Sequence, residues 1–430
     1  MKLGAGAAAL AAGSSLIKPA GAATKMSFAP EAGAKLRVLR WKRFVKGDED
    51  LWMANTAKFT QATGVEVRTD HESWEDVRPK AAVAANIGSG PDIFVAWFDD
   101  PHLYPEKLVD LTDLADYLGG KYGGWYDVCE KYGKKDGRWI SLPLGAPSAC
   151  LVARDTWLKE AGFEAIPNDM QGLLNLCKAL KENGHPPGFA LGNAVGDGNT
   201  WTHWLLWSFG GKVVNEANEV VVNSPETIQA LEFARELYET FIPGTLSWLD
   251  ANNNKAFLSD QIGLTANGIS IYYAAKTSKD PKLQAIAKDI QHANLPVGPV
   301  GRPAELHLLT QAMVFKYTKY PNAAKEYLRF MWEKEQFDPW MQAAIGYVTQ
   351  PLKAYAQHPV WTEDPKHTPY RDTVARMLPN SHAGTLGYAS AAVMADYIVV
   401  NMIAEAASGD TPPKDAAARA EKRALRYYRV

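Results

Sequence analysis

Asp99 and Asp100 are the residues of this sequence best suited to chemistry. They stand side by side near the end of GSGPDIFVAWFDDP (Gly88 to Pro101), directly after Trp97 and Phe98. A pair of carboxylates is what a glycosidase sets roughly 5–10 Å apart across a sugar. Neighbouring residues on an extended strand point to opposite faces, so these two do not converge on one bond unless the chain turns. Asp100-Pro101 reads as the start of such a turn. Asp99 stays open to two roles, ligand contact or local cap.

Other catalytic signatures are absent from the sequence. No Gly-rich phosphate cradle is followed by Lys, and Gly88-Ser89-Gly90 precedes a strand where a dinucleotide fingerprint would follow one. Neither H-E-x-x-H nor G-x-S-x-G occurs. The nine histidines are scattered. His203 and His307 lie beside candidate ligand segments, where a hydrogen-bonded structural role accounts for them more readily than catalysis. Cys129, Cys150 and Cys177 lack C-x-x-C spacing and have no His at ligand spacing beside them, so neither a metal site nor a cofactor is expected. One disulfide would leave a thiol over; burial as small residues is the simpler expectation.

The elements that must position Asp99 alternate. KLRVLRW (Lys35 to Trp41) reads as a strand. DEDLWMANTAKFTQATG reads as a helix capped by Asp48 or Asp50, with Trp52, Thr56 and Phe59 on one face and Gly64 as its stop. Val65 to Arg68 is a strand by alternation, WEDVRPKAAVAANI a helix interrupted by Pro79, and DIFVAW the next strand. Strand, helix, strand, helix, strand at this spacing predicts right-handed crossovers and a parallel sheet. Ligands bind beyond the carboxyl ends of such strands, where Trp41 and Trp97-Phe98-Asp99 lie. Later segments are richer in helix: SPETIQALEFARELYETF is capped by Ser224 with Pro225 in its first turn, and PNAAKEYLRFMWEKE follows strand-like AELHLLTQAMVF (Ala304 to Phe315).

With 430 residues, a net charge of −2 and 47% hydrophobic residues, the chain has material for two lobes. Its densest basic run, Lys414 to Arg429, is interleaved with Asp415 and Glu421, so nucleic acid is not an expected partner. Fourteen tryptophans are a surplus, and several are expected to line a ligand surface. Residues 1–23 have a signal-peptide layout: Lys2, an uncharged Ala- and Gly-rich stretch, then Ala20-Gly21-Ala22. They are similar to the tail of a twin-arginine signal whose Arg-Arg part lies upstream. No cysteine sits at the cleavage region, which points to a free protein of a Gram-negative periplasm. No later run is expected to cross a membrane.

Several ordered motifs resemble one family. They are Gly64-Val65-Glu66-Val67, Gly88-Ser89-Gly90-Pro91-Asp92-Ile93, Leu108-Val109-Asp110-Leu111, Gly137 to Pro143, CLVARDTWLKEAGF, Gly263 to Gly268, Gly346 to Pro351 and SGDTPPKDAAARA. In this order the chain resembles the extracellular solute-binding proteins of bacterial ABC importers, in the sugar-binding group that includes maltose-binding protein. It departs at Ala153-Arg154-Asp155, where many members have Tyr-Asn-Lys.

The resemblance implies an α/β, two-lobed periplasmic-binding-protein fold of type II-like topology, with a ligand cleft between lobes joined by hinge crossings. Residues 35–146 with about 307–351 would form one lobe, and 147–306 with about 352–430 the other. Crossings are expected near Gly145–Ala149, Leu306–Thr310 and Gln350–Leu352. It implies a monomer that does no chemistry, closes on a sugar, polyol or sugar derivative, and docks on a membrane permease. Trp41, Trp97, Phe98, Trp201, Tyr347 and Trp74 are then candidates to stack on the ligand, and Asp99, Glu305, Asn267 and Arg43 to meet its hydroxyls. Arg43 beside Lys42 also suits an anionic ligand. Two alternatives stand beside this: a binding protein for a non-sugar solute such as a polyamine or organic anion, and a secreted carbohydrate-active enzyme.

Overall fold

The computed structural model describes residues 26–42 and 44–428. The leader expected at 1–23 and the candidate Arg43 lie outside the described residues.

The strands that matter, in chain order, are β1 (Lys35–Trp41), β2 (Glu66–Glu72), β3 (Ile93–Trp97), β4 (Leu142–Gly145), β5 (Cys150–Arg154), β6 (Leu264–Asn267), β7 (Ile290–Ala293) and β8 (Thr310–Val314). They form a five-stranded sheet ordered β2-β1-β3-β8-β4 and a three-stranded sheet ordered β6-β5-β7. In the first, β1 runs parallel to β2 and β3, as the alternation predicts, and β8 runs antiparallel between β3 and β4. Every residue of β3 is buried, which is why IFVAW reads as an unbroken apolar run.

Helix Lys46–Thr63 packs Trp52, Thr56 and Phe59 inward and stops at Gly64, whose φ of 74° no β-branched residue would accept cheaply. Asp48 is not its cap. It is buried inside the first turn, accepting from Arg40 Nη2 at 2.6 Å, Trp41 Nε1 at 3.1 Å and Trp340 Nε1 at 2.9 Å. Helix Trp74–Ile87 carries Pro79 without breaking. Ser224 caps Pro225–Tyr238, accepting from Thr227 N at 3.3 Å.

Two short connections join the sheets directly: 146–149 between β4 and β5, and 294–309 between β7 and β8. A third passage follows β8. Lys353 and Ala354 still donate to the carbonyls of Gly124 and Tyr122, beside the first sheet. Asp364 accepts from Tyr272 and Lys276, beside the second. Between them, Gln350 Nε2 donates to the Arg371 carbonyl at 3.1 Å.

Tyr388–Ala407 is apolar and long enough to cross a membrane by composition, contrary to the expectation from sequence. In the fold it is two helices, Tyr388–Ala395 and Ile398–Ala407, broken at Tyr397 with φ 50°. Its second half packs against the helices Asp197–Ser208, Pro225–Tyr238 and Pro413–Ala424, which accounts for the apolar content.

Candidate functional site

Between the two sheets lies a narrow cleft with about 20 Å³ of free space, part of it open to solvent. One wall is aromatic. Trp74, first residue of its helix, lies parallel to Trp97 with centroids 4.6 Å apart and planes at 7°. Phe44 meets the Trp74 ring edge-on at 5.6 Å and lies nearly parallel to Tyr347 at 6.3 Å. Trp74, Phe44 and Tyr347 face the cleft.

The opposite wall is polar and comes from the second sheet's surroundings. Asp197 opens helix Asp197–Ser208, whose first N–H groups have no partner within the helix. Asp250 supplies one: its Oδ1 accepts from Gly196 N at 3.0 Å and Asp197 N at 2.7 Å. Asn253 Nδ2 donates to Asp197 Oδ2 at 2.7 Å. Asn267 ends β6; its Oδ1 accepts from Gly268 N at 2.6 Å and its amide donates to Asn254. Asn254 in turn donates to Ser270 Oγ at 2.9 Å. Thr200 and Ser270 complete this wall.

Burial raises the carboxyls of both Asp197 and Asp250 above the usual range. At Asp197 the charge of Asp250 adds to the rise, and the Asn253 amide opposes it. At Asp250 the backbone N–H of Asp197 and Gly196 oppose it and Glu75 adds to it. Asp250 Oδ2 is buried with no hydrogen-bond partner among the described residues.

The walls meet across the cleft. Gly47 N, at the start of the first-sheet helix, donates to Tyr273 Oη at 2.8 Å. A Cβ on Gly196 would lie 3.0 Å from Asp250 Oδ1 and 3.7 Å from Trp74 Cζ3, so a side chain there would fill the gap.

Of the residues singled out in the sequence, Trp74, Asn267 and Tyr347 are on the cleft wall. The rest of the described ones are not, each for a packing reason. Trp41 and Trp97 reach the strand ends, but Trp74 lies over both, at 5.9 and 4.6 Å. Trp97 Nε1 donates to the Trp74 carbonyl at 3.2 Å. Phe98 is fully buried with φ 43°, and its carbonyl accepts from Gln311. Asp99 is also fully buried, accepting from Asn380 Nδ2 at 2.9 Å and Ser390 Oγ at 2.5 Å; burial pushes its carboxyl up to about 6. Asp100 opens a 3₁₀ turn and accepts from Arg78 Nε at 2.6 Å. Trp201 donates Nε1 to the Ala190 carbonyl at 2.6 Å among Phe189 and Phe241. Glu305 pairs with His307 at 3.0 Å; burial alone would raise its carboxyl, but that contact and Arg376 hold it below the usual range. Cys129, Cys150 and Cys177 are buried and unpaired.

Sequence reasoning missed Phe44, Asp197, Thr200, Asp250 and Ser270. Asp197 carried a signal, an acidic residue opening a helix four positions before Trp201. Asp250 carried none, since its role depends on a backbone 53 residues away.

Known proteins share this fold. A sugar transporter protein of Arthrobacter chlorophenolicus A6, solved with bound laminaribiose, superimposes with TM-score 0.79 at 19% identity, covering 92% of this chain and 99% of that one. Maltose-bound MalE3 of T. maritima gives 0.77 at 20% identity, covering 91% and 99%. An ABC transporter solute-binding protein of Agrobacterium radiobacter K84, in complex with ribitol, gives 0.76 at 16%, covering 92% and 98%. In sequence, a Deinococcus radiodurans protein named "Probable ABC transporter-binding protein" is 25% identical over 294 residues, 66% of this chain and 68% of that one. Residues 54–369 match the family described as bacterial extracellular solute-binding protein, and the chain belongs to that family.

Proposed function

We propose that this protein captures a sugar, polyol or sugar derivative outside the cytoplasmic membrane and delivers it to the permease of an ABC importer. The observation that carries this is the cleft itself: rings of Trp74, Phe44 and Tyr347 on one wall, hydrogen-bonding side chains on the other. A sugar has C–H faces that lie well on aromatic rings and hydroxyls that must find partners once desolvated.

The working model is a monomer of two lobes, 35–146 with about 307–357 and the remainder of the mature chain, exported to a Gram-negative periplasm. Ligand contacts made only when the walls meet stabilise the closed form, which docks on the permease. Catalysis is not part of this function. Asp197 and Asp250 belong to one wall and would touch one side of a ligand, whereas glycosidase carboxylates flank the scissile bond.

A thermal-shift screen over sugars, polyols, sugar acids and amines tests the proposal. At least one neutral or charged small solute should raise the melting temperature in a concentration-dependent way. Turnover of a glycoside, or indifference to every solute, would overturn it.

A further inference from the structure

Resting on that cleft as the solute site, we propose that its solute is an amine-bearing sugar or cyclitol, with the protonated amine seated on Asp197 and Asp250. Asp250 is 5% exposed, faces the cleft and keeps Oδ2 without a partner among the described residues. Oδ1 is committed to two backbone N–H groups, so Oδ2, buried from solvent here, is the acceptor a ligand would reach as the cleft opens to admit it. Asp197 spends one oxygen on Asn253. Among the described residues neither carboxylate has an ion-pair partner, in contrast to the buried Asp100 with Arg78 and Asp48 with Arg40.

Two adjacent buried carboxylates without a cation are costly to keep charged. A neutral hydroxyl would satisfy Oδ2 geometrically but would do nothing to favour the ionised form of the pair. An ammonium brings three donors and one positive charge, and its hydrogen bonds to carboxylate are about twice as strong as neutral ones. The remaining wall favours the same chemistry. Asn267 and Ser270 are tied to each other's neighbours, so the Asp197–Asp250 pair carries the acceptors left for a ligand. The aromatic wall accounts for the ring: Trp74 and Phe44 offer flat area to C–H groups, which a bare linear amine would use less fully.

The pair also sets a pH dependence. The other ionisable groups acting on these two are Glu75 and the phenols of Tyr347, Tyr370 and Tyr397, and burial holds all three phenols neutral. Without ligand the pair retains protons that an ammonium must displace, so amine affinity should rise with pH through the range in which the carboxyls ionise.

Matched pairs decide the matter. Isothermal titration with glucosamine against glucose, galactosamine against galactose, and mannosamine against mannose should find at least one pair in which the amine binds tenfold or more tightly at pH 7. That preference should grow from pH 5 to pH 7 and fall to within about twofold in Asp250→Asn and in Asp197→Asn. Asn at 250 keeps the Oδ1 acceptor for the helix N–H groups, and circular dichroism confirms that each variant folds. A sugar bound as tightly as its amine, or tight binding of putrescine with none of the amino sugars, overturns the inference and leaves solute capture standing. Failure of every charged and neutral solute overturns both.

Discussion

Trp74 lies flat on Trp97, their ring centroids 4.6 Å apart, and only Trp74 faces the cleft. The two rings therefore separate by function. Trp74→Ala should weaken the tightest-binding solute by tenfold or more in calorimetry, and Trp74→Phe should recover most of that. Trp97→Ala should act on stability instead, lowering it by about 3–5 kcal/mol in urea unfolding because it empties a buried site. Wild-type affinity in Trp74→Ala would remove the aromatic wall from the argument.

How much of this was legible follows from the same pair. The alternation of strands and helices gave the parallel β2-β1-β3 core, because local periodicity and Gly64 and Gly88 stops are written in neighbouring residues. Strand-end position then drew attention to Trp41 and Trp97. What position alone does not reveal is that the helix between β2 and β3 begins with a third Trp and lays it over both. Asp99 follows the strand end that the alternation predicts, but its partners Asn380 and Ser390 lie more than 280 residues on. Asp250 and Asp197 meet through a backbone amide, and no spacing rule records such a contact.

Asp99 makes stability depend on pH. Its carboxyl is raised from an ordinary 3.8 to about 6 in the fold by burial. A raised acid means that the folded state holds the proton more tightly than the unfolded chain. Its contribution is thus most favourable below pH 4, is lost as pH rises to about 6, and is a full penalty above that. The span is at most about 3 kcal/mol. Urea unfolding of wild type and Asp99→Asn should show the variant gaining on wild type as pH rises from 4 to 7. A difference flat across that range would rule out Asp99 as the source.

Asp48 holds Arg40 in the core. Both side chains are fully buried, 2.6 Å apart, and Asp48 also takes the indole N–H groups of Trp41 and Trp340. Removing the acid strands a guanidinium in a medium that cannot solvate it. Asp48→Ala should cost about 3–5 kcal/mol, and the double variant Asp48→Ala/Arg40→Met should regain much of it. The readout is the urea midpoint of each protein. Equal losses in the single and double variants would mean that the indole contacts, not the ion pair, set the cost.

Gly196 sits where the two walls come together. Its φ of −88° suits any residue, so glycine is not there for backbone reasons. Space is the reason: a Cβ would lie 3.0 Å from Asp250 Oδ1, 3.3 Å from Leu308 Cδ2 and 3.7 Å from Trp74 Cζ3. Gly196→Val puts two methyl groups into that gap, against Trp74 of the other wall as well as Asp250 beside it. Ligand-free stability should fall by about 1–3 kcal/mol, since the 3.0 Å approach to Asp250 Oδ1 lies within one wall and does not depend on closure. Affinity should fall at least tenfold, with the loss in the off-rate, because contacts across the cleft that hold the solute are made only on closure. Small-angle scattering at saturating solute should give a larger radius of gyration for the variant than for wild type. Unchanged affinity and an unchanged radius would mean that the walls do not approach at Gly196 when solute binds. The Gly47–Tyr273 hydrogen bond would then be the contact left to explain how the cleft shuts.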